Sequence, residues 1–279
     1  MKVTIIGTGL IGGSMALALR DKGMATSVFG VESNTEHAAK ALSLGLVDAI
    51  LPLDEAVQQS ELVILATPIN IAEKLLPEIL QQAGKQVIMD VGSTKQNICL
   101  AATQYPNRGR FVATHPMWGT EYSGPEAAVK TAFTGKATVI CSREDSDRDA
   151  VQLVEKIYTA LGMHLIYMEA GAHDIHVAYV SHISHITSFA LANTVLEKEK
   201  EGDAIFELAS GGFESTVRLA KSNPSMWVPI FMQNRDNVLD VLNEHIAQLR
   251  KFKACLEKEN YAYLTELIEN ANGIKRILQ

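Results

Sequence analysis

A mostly parallel α/β domain followed by an all-helical domain is the fold class this sequence predicts. Three observations predict it. Short apolar runs alternate with helical patterns over the first 170 residues or so, which is the signature of a parallel sheet covered on both faces. A glycine-rich turn, Gly7-Thr8-Gly9-Leu10-Ile11-Gly12, sits between the first such run and the first helical pattern. The composition then shifts: fourteen of the 19 glycines precede residue 166, and no proline falls between Pro125 and Pro224, so long helices can run unbroken in the second half.

The elements follow in order. Lys2–Ile6 reads as a strand, then the glycines, then a helix through Leu19. Ser27–Val31 is a strand and Thr35–Leu44 a helix; Leu62–Ala66 is a strand and Ile71–Gln82 a helix. Gln86–Val91, Val112–Thr114, Ala137–Cys141 and Leu165–Tyr167 read as further strands. Ala172–Glu199, Ser225–Leu256 and Tyr261–Asn272 are apolar-periodic and read as helices. The domains predicted are therefore 1–168, dinucleotide-binding, and 169–279, helical. Glu197-Lys198-Glu199-Lys200-Glu201 reads as a solvated helix end.

Composition excludes several classes. At 279 residues, 47% apolar and 20% charged, the chain can bury a large core. A net charge of −7 argues against a general nucleic-acid binder. Cys99, Cys141 and Cys255 form neither a metal spacing nor a disulfide framework, which fits a reducing cytoplasm. The uncharged run Val3–Leu19 superficially suits a signal sequence or a short membrane span, but Gly7, Gly9, Gly12 and Gly13 would weaken a hydrophobic helix there. No membrane segment is expected.

Gly7, Gly9 and Gly12 match G-x-G-x-x-G between a strand and a helix, the context that makes this motif a pyrophosphate cradle, with Leu10 and Ile11 opening the helix. Glu32 lies 20 residues after Gly12, at the end of the second predicted strand. A carboxylate there accepts hydrogen bonds from the ribose hydroxyls and repels a 2′-phosphate, so NAD is expected rather than NADP. Thr67, just after the third strand, joins the expected cofactor contacts.

Four segments carry side chains fit for proton transfer or anion binding: Asp90–Lys95 with Ser93, Thr114–Glu121 with His115, His173-Asp174 with His182 and His185, and Gly211-Gly212-Phe213 with Arg218 and Trp227. Each has a plainer reading. His115 suits an ordinary loop histidine, Ser93 a helix N-cap, Arg218 a surface charge and Trp227 a core residue. The histidines around His173–His185 could suggest a metal, but no second ligand cluster completes one and none is expected.

Taken in order, these segments resemble the prephenate/arogenate dehydrogenase family. The ordered set includes the glycine loop, Asp90-Val91-Gly92-Ser93-Thr94-Lys95, His115-Pro116 with Gly119-Thr120-Glu121, and Ser181-His182-Ile183-Ser184-His185. It continues through Gly212-Phe213 with Arg218 and Pro224-Ser225-Met226-Trp227. The resemblance implies a Rossmann domain, a helical dimerisation domain forming a homodimer, and NAD-dependent oxidative decarboxylation between them, of prephenate in preference to the alternative, arogenate. It implies His115 as proton acceptor, Ser93 in its hydrogen-bond network, His185 and Arg218 as carboxylate anchors, and Thr120 and Glu121 at the entrance. Trp227 is expected to reach toward the partner's site. Trp118 stands where a small residue is common and is expected to narrow the pocket, while Ser184 and Ser215 replace a usual proline and aspartate. With no added chorismate mutase segment and no length for a regulatory domain, tyrosine feedback is expected at the active site itself. A β-hydroxyacid dehydrogenase-like enzyme is the alternative, although that group uses a helix-borne lysine where this chain has His182 and His185.

Overall fold

The computed structural model describes residues 1–199 and 208–277, so the end of the 197–201 charge run lies outside the described residues. By compactness the chain divides into Met1–Asn234 and the residues from Arg235 onward.

The first unit is built on eight strands: β1 (Lys2–Ile6), β2 (Ser27–Val31), β3 (Ala49–Ile50), β4 (Leu62–Leu65), β5 (Val87–Asp90), β6 (Phe111–Pro116), β7 (Ala137–Cys141) and β8 (His164–Met168). Their order is β3-β2-β1-β4-β5-β6-β7-β8. The first six strands are parallel; β7 pairs antiparallel to β6, and β8 runs parallel to β7. The run Val3–Ile6 is thus a central strand whose side chains are all buried, which accounts for its lack of charge. Helices α1 (Leu10–Asp21), α2 (Thr35–Ser43), α3 (Leu53–Gln59), α4 (Ile69–Gln82), α5 (Gln96–Ala102) and α6 (Arg148–Ala160) connect the strands. Two apolar clusters form the core, one around Val3, Ile5, Met15 and Tyr158, the other around Ile6, Leu65, Leu76 and Phe111.

The order reverses between β1 and β4, the switch point where ligands bind at the carboxyl ends of strands. The β5 and β6 ends lie next to it. The last strand departs from the buried pattern: β8 is an edge whose residues are exposed or half-buried, and Arg143 lies over the Tyr167 ring at 4.3 Å.

The expected helix over Ala172–Glu199 is three pieces. α7 (Ala170–Val177) passes through a π turn at Ala178–His182 into α8 (Ile183–Glu199). α9 (Gly211–Val217), a 3-10 turn (Arg218–Lys221) and α10 (Pro224–Gln233) follow. The glycines at 211–212 open the short helix α9. The single helix expected over Ser225–Leu256 is broken at Asn234, whose side chain bonds to other elements. In the second unit, α11 (Arg235–Glu257) and α12 (Tyr261–Ala271) pack on one another. No helix among the described residues is long and apolar enough to cross a membrane.

Candidate active site

The glycine loop is shaped by close backbone approach. Gly7 has φ of +92°, and a Cβ on it would lie 2.8 Å from the Ala66 carbonyl oxygen. A Cβ on Gly12 would lie 2.0 Å from the Gly7 carbonyl oxygen. Neither position admits a side chain. Gly9, by contrast, faces open space. No side chain caps α1 and no acidic residue sits in its first turn. The amide groups at Leu10 and Ile11 therefore open a helix end fit for an anion.

Glu32, just past β2, turns toward this loop. One oxygen accepts from the Thr8 amide at 3.0 Å and the Thr8 hydroxyl at 3.1 Å, and the other accepts from the Asn34 amide at 3.0 Å. Thr67 follows β4 against Gly7, and its hydroxyl is buried without a partner in the chain. The cradle, the carboxylate at its side and an unsatisfied hydroxyl fit a dinucleotide.

One strand further, β5 ends on Asp90, which pairs with Lys95; both side chains are fully buried. Asp90 also accepts from the amides of Thr114 (3.1 Å) and Gly92 (2.9 Å). Ser93 sits half-buried in the loop between them. It does not cap α5, correcting one reading of the sequence: the Asp174 carboxylate caps that helix across the fold, accepting from Lys95 N at 2.8 Å and Gln96 N at 2.9 Å.

His115, half-buried near the end of β6, has its Nδ1 2.9 Å from His173 Nε2. His173 Nδ1 lies 2.8 Å from Asp174 Oδ1. Burial, followed by the neighbouring His173, Lys95 and His182, pushes the His115 imidazole well below its ordinary value, so it is neutral at pH 7. Burial likewise lowers His173, against the opposing pull of Asp174. It takes His182 to about 4.

The π turn sets the next pair. His182 Nδ1 meets the Asn234 amide at 3.1 Å, and the same Asn234 nitrogen donates to the Asp174 carbonyl at 2.7 Å. His185 donates from Nδ1 to the Ser181 carbonyl at 3.1 Å and stacks on Trp227 with 3.4 Å between ring centroids. Burial lowers its imidazole too. Trp227 is buried against His182, His185 and Phe231 of its own chain, with its Nε1 unpartnered. Arg218, half-exposed, donates to Glu121 at 3.0 Å, and Thr120 accepts from the Tyr122 amide at 3.3 Å. Glu121's own backbone N–H and the Arg218 guanidinium hold its carboxyl below the usual range. Trp118, expected to narrow the pocket, packs edge-on against Phe133 with 5.8 Å between ring centroids.

The structure thus gathers two groups of the sequence candidates. Gly7, Gly9, Gly12, Glu32 and Thr67 meet at the β1/β4 switch point. A second set runs in contact from His115 through His173, Asp174, Asn234, His182, Trp227 and His185, with the Arg218–Glu121 pair near His185. Sequence reasoning missed Asn234 and the buried Lys95–Asp90 pair. No local spacing signals the first; a lysine and an aspartate around a glycine after an apolar strand was the available hint for the second. Among the described residues, no group of three or more His, Cys, Asp or Glu is placed to hold a metal ion.

Comparison with known proteins adds the following. The family model for the prephenate dehydrogenase nucleotide-binding domain matches residues 15–167, and that for the prephenate dehydrogenase dimerization domain matches residues 169–270. The prephenate dehydrogenase of Bacillus subtilis is 32% identical over 99% of this chain and 76% of its own length. The cyclohexadienyl dehydrogenase of Zymomonas mobilis is 28% identical over 99% of this chain and 96% of its own. Among solved structures, prephenate dehydrogenase from Aquifex aeolicus in complex with hydroxyphenyl propionate and NAD+ aligns with a TM-score of 0.87 at 29% identity, covering 99% of this chain and 97% of that one. Synechocystis arogenate dehydrogenase aligns with a TM-score of 0.79 at 26% identity, covering the whole of both chains.

Proposed function

This chain belongs to the prephenate dehydrogenase family, and from that membership we propose that it oxidatively decarboxylates prephenate to 4-hydroxyphenylpyruvate with NAD, in tyrosine biosynthesis. The observation that carries this reading is a neutral His115 on β6, two strands from β4 at the open dinucleotide cradle, joined through one contact chain to the region of the Arg218–Glu121 pair.

In this reading residues 1–168 bind the dinucleotide and residues 169–279 supply substrate contacts and the dimer surface. NAD, when bound, would supply the acceptor for the hydride on the ring carbon that bears the hydroxyl. His115 accepts the hydroxyl proton as that carbon becomes a carbonyl. Ser93, in the neighbouring loop, shares the hydrogen bonding at that hydroxyl. The ring carboxylate then leaves as carbon dioxide, its bonding pair enters the ring, and His115 returns the proton to the ring oxygen. Prephenate and NAD give 4-hydroxyphenylpyruvate, carbon dioxide and NADH, with no net proton and an aromatic ring that makes the step irreversible.

Glu32, already oriented by Thr8 and Asn34, meets the adenosine ribose hydroxyls and repels a 2′-phosphate. Steady-state formation of NADH tests the whole reading. Prephenate with NAD is expected to be the best pair, ahead of arogenate or NADP, and Glu32→Gln is expected to narrow the NAD preference several-fold. No prephenate-dependent reduction removes the proposed function, and an equal rate with NADP removes the role of Glu32.

Arg218 is the carboxylate anchor in this scheme. A guanidinium matches two carboxylate oxygens with two N–H groups, and in the free enzyme Glu121 occupies it. A substrate carboxylate takes that place, with His185, Trp227 and Thr120 lining the approach. Arg218→Ala is expected to raise the KM for prephenate about 10- to 150-fold, the equivalent of about 1.5–3 kcal/mol. Arg218→Lys is expected to fall between, and NAD affinity to stay unchanged. Normal prephenate binding in Arg218→Ala transfers the anchor to His185.

The assembly proposed is a homodimer in the cytoplasm. Support comes from the dimerization-domain match and from apolar side chains left open on the helical part, among them Val180, Val228 and Met232. Buried, unpaired Cys99, Cys141 and Cys255 suit a reducing compartment. Sedimentation at micromolar concentration should read two chains; one chain ends this part of the proposal.

A further inference from the structure

Behind His115 stands a histidine–aspartate pair that the reaction scheme does not use. Asp174 is held rigidly. Its carboxylate accepts from the amides of Lys95 and Gln96, and its carbonyl accepts from Asn234. His173 lies between Asp174 and His115, fully buried, with contacts of 2.8 and 2.9 Å to the two. The two imidazole rings meet edge-on, with 70° between their planes.

The hydrogen positions follow from which atoms can donate. An ionised carboxylate only accepts, and Asp174 already takes a backbone N–H on each oxygen. The proton between Asp174 and His173 therefore sits on His173 Nδ1. His173 is neutral, since burial lowers its imidazole, so its Nε2 is bare. The 2.9 Å contact to His115 then requires the proton on His115 Nδ1. His115 is neutral as well, which leaves its Nε2 without a proton. The other charged and titratable groups near His115 do not alter this. Lys95 is paired with Asp90, and His182 is engaged by Asn234.

We propose that His173 and Asp174 are positioning residues: the carboxylate fixes the tautomers of two successive imidazoles so that His115 always presents a bare Nε2 to the substrate hydroxyl. This rests on the reading of His115 as the proton acceptor. It assigns Asp174 a second duty beside capping α5. It also stabilises the imidazolium that forms on His115, because the new positive charge stays hydrogen-bonded, through His173, to a buried carboxylate.

Asp174→Asn is the discriminating variant. Its side chain, turned with its N–H toward His173 Nδ1, keeps an oxygen for the Gln96 amide and gives up the acceptor of the Lys95 amide, which shares Oδ1 with His173. That reverses the relay: His173 Nε2 donates, His115 Nδ1 accepts, and the proton moves to His115 Nε2, where it blocks base function. The expected result is a fall in kcat of about 10²–10⁴-fold, with the KM for prephenate and the Kd for NAD within about threefold of wild type. A merely structural Asp174 would instead shift KM and Kd together with kcat, and that pattern overturns the proposal, as does wild-type turnover. A second measurement needs no variant to fold. Nitrogen-15 chemical shifts of histidine-labelled wild-type enzyme should show His115 protonated at Nδ1 and bare at Nε2; the opposite tautomer overturns the proposal. Full activity in His115→Asn overturns it also, and is told apart because the acceptor reading then fails while the wild-type tautomer still reads Nδ1–H.

Discussion

His115→Asn is expected to lower turnover by about 10²–10⁴-fold, the usual worth of a positioned proton acceptor, while prephenate and NAD still bind. Asparagine is close in size and keeps a hydrogen-bonding group near His173, but it cannot take a proton from the substrate hydroxyl. Steady-state kinetics and equilibrium NAD binding check the two halves of the expectation. Turnover within threefold of wild type would remove His115 from the chemistry. The pH dependence carries a sign. Burial disfavours the imidazolium, so the folded-state pKa lies well below the ordinary imidazole value, and the neutral, active form persists into acid. The acid limb of kcat/KM is accordingly expected below pH 6.5. A limb at or above that value contradicts the environment described for His115.

Lys95→Met is expected to produce the largest loss of stability, about 3–5 kcal/mol. The lysine and its partner Asp90 are both wholly buried, and removing the ammonium leaves a carboxylate beneath β6 with only the Thr114 and Gly92 amides to satisfy it. For a protein of this size, each kcal/mol moves the melting temperature by about 2–4 °C, so a fall near 10 °C is expected in a thermal melt. The double variant Lys95→Met with Asp90→Leu should recover part of the loss, because the uncompensated charge is then gone. A melting temperature within about 2 °C of wild type for the single variant would show that water reaches the pair.

Strands β1, β2 and β7 were legible in the sequence to the residue, because each is a short apolar run bounded by glycine, serine or charge. The place of the glycine loop between β1 and α1, and of Glu32 just past β2, was legible because the motif fixes short spacings. Helices α3, α5 and α6 and the two-residue strand β3 were not singled out, α3 and α5 being only seven residues each and offering little periodicity. The reversal of β7 was invisible, since a strand's own sequence does not state its partner's direction. His173 and Asp174 stood out as candidates, but the link to His115 spans 58 residues and the link to Lys95 spans 79. No spacing rule covers contacts created by packing one element on another. The tautomer assignment needed both links at once.

The π turn at Ala178–His182 acts as a phase offset. It takes up about one residue more than an α turn would, so every side chain after it is rotated relative to those on α7. Deleting one residue there would turn α8 by about 100° and draw it back by about 1.5 Å. His185 would leave the face of Trp227, and the Ser188 hydroxyl would lose the Thr216 carbonyl it reaches at 3.0 Å. His173, upstream, would keep its place beside His115. The extra residue is therefore what allows one nearly continuous helical run to serve two clients at unrelated angles, a histidine–aspartate pair on one side and an aromatic wall on the other.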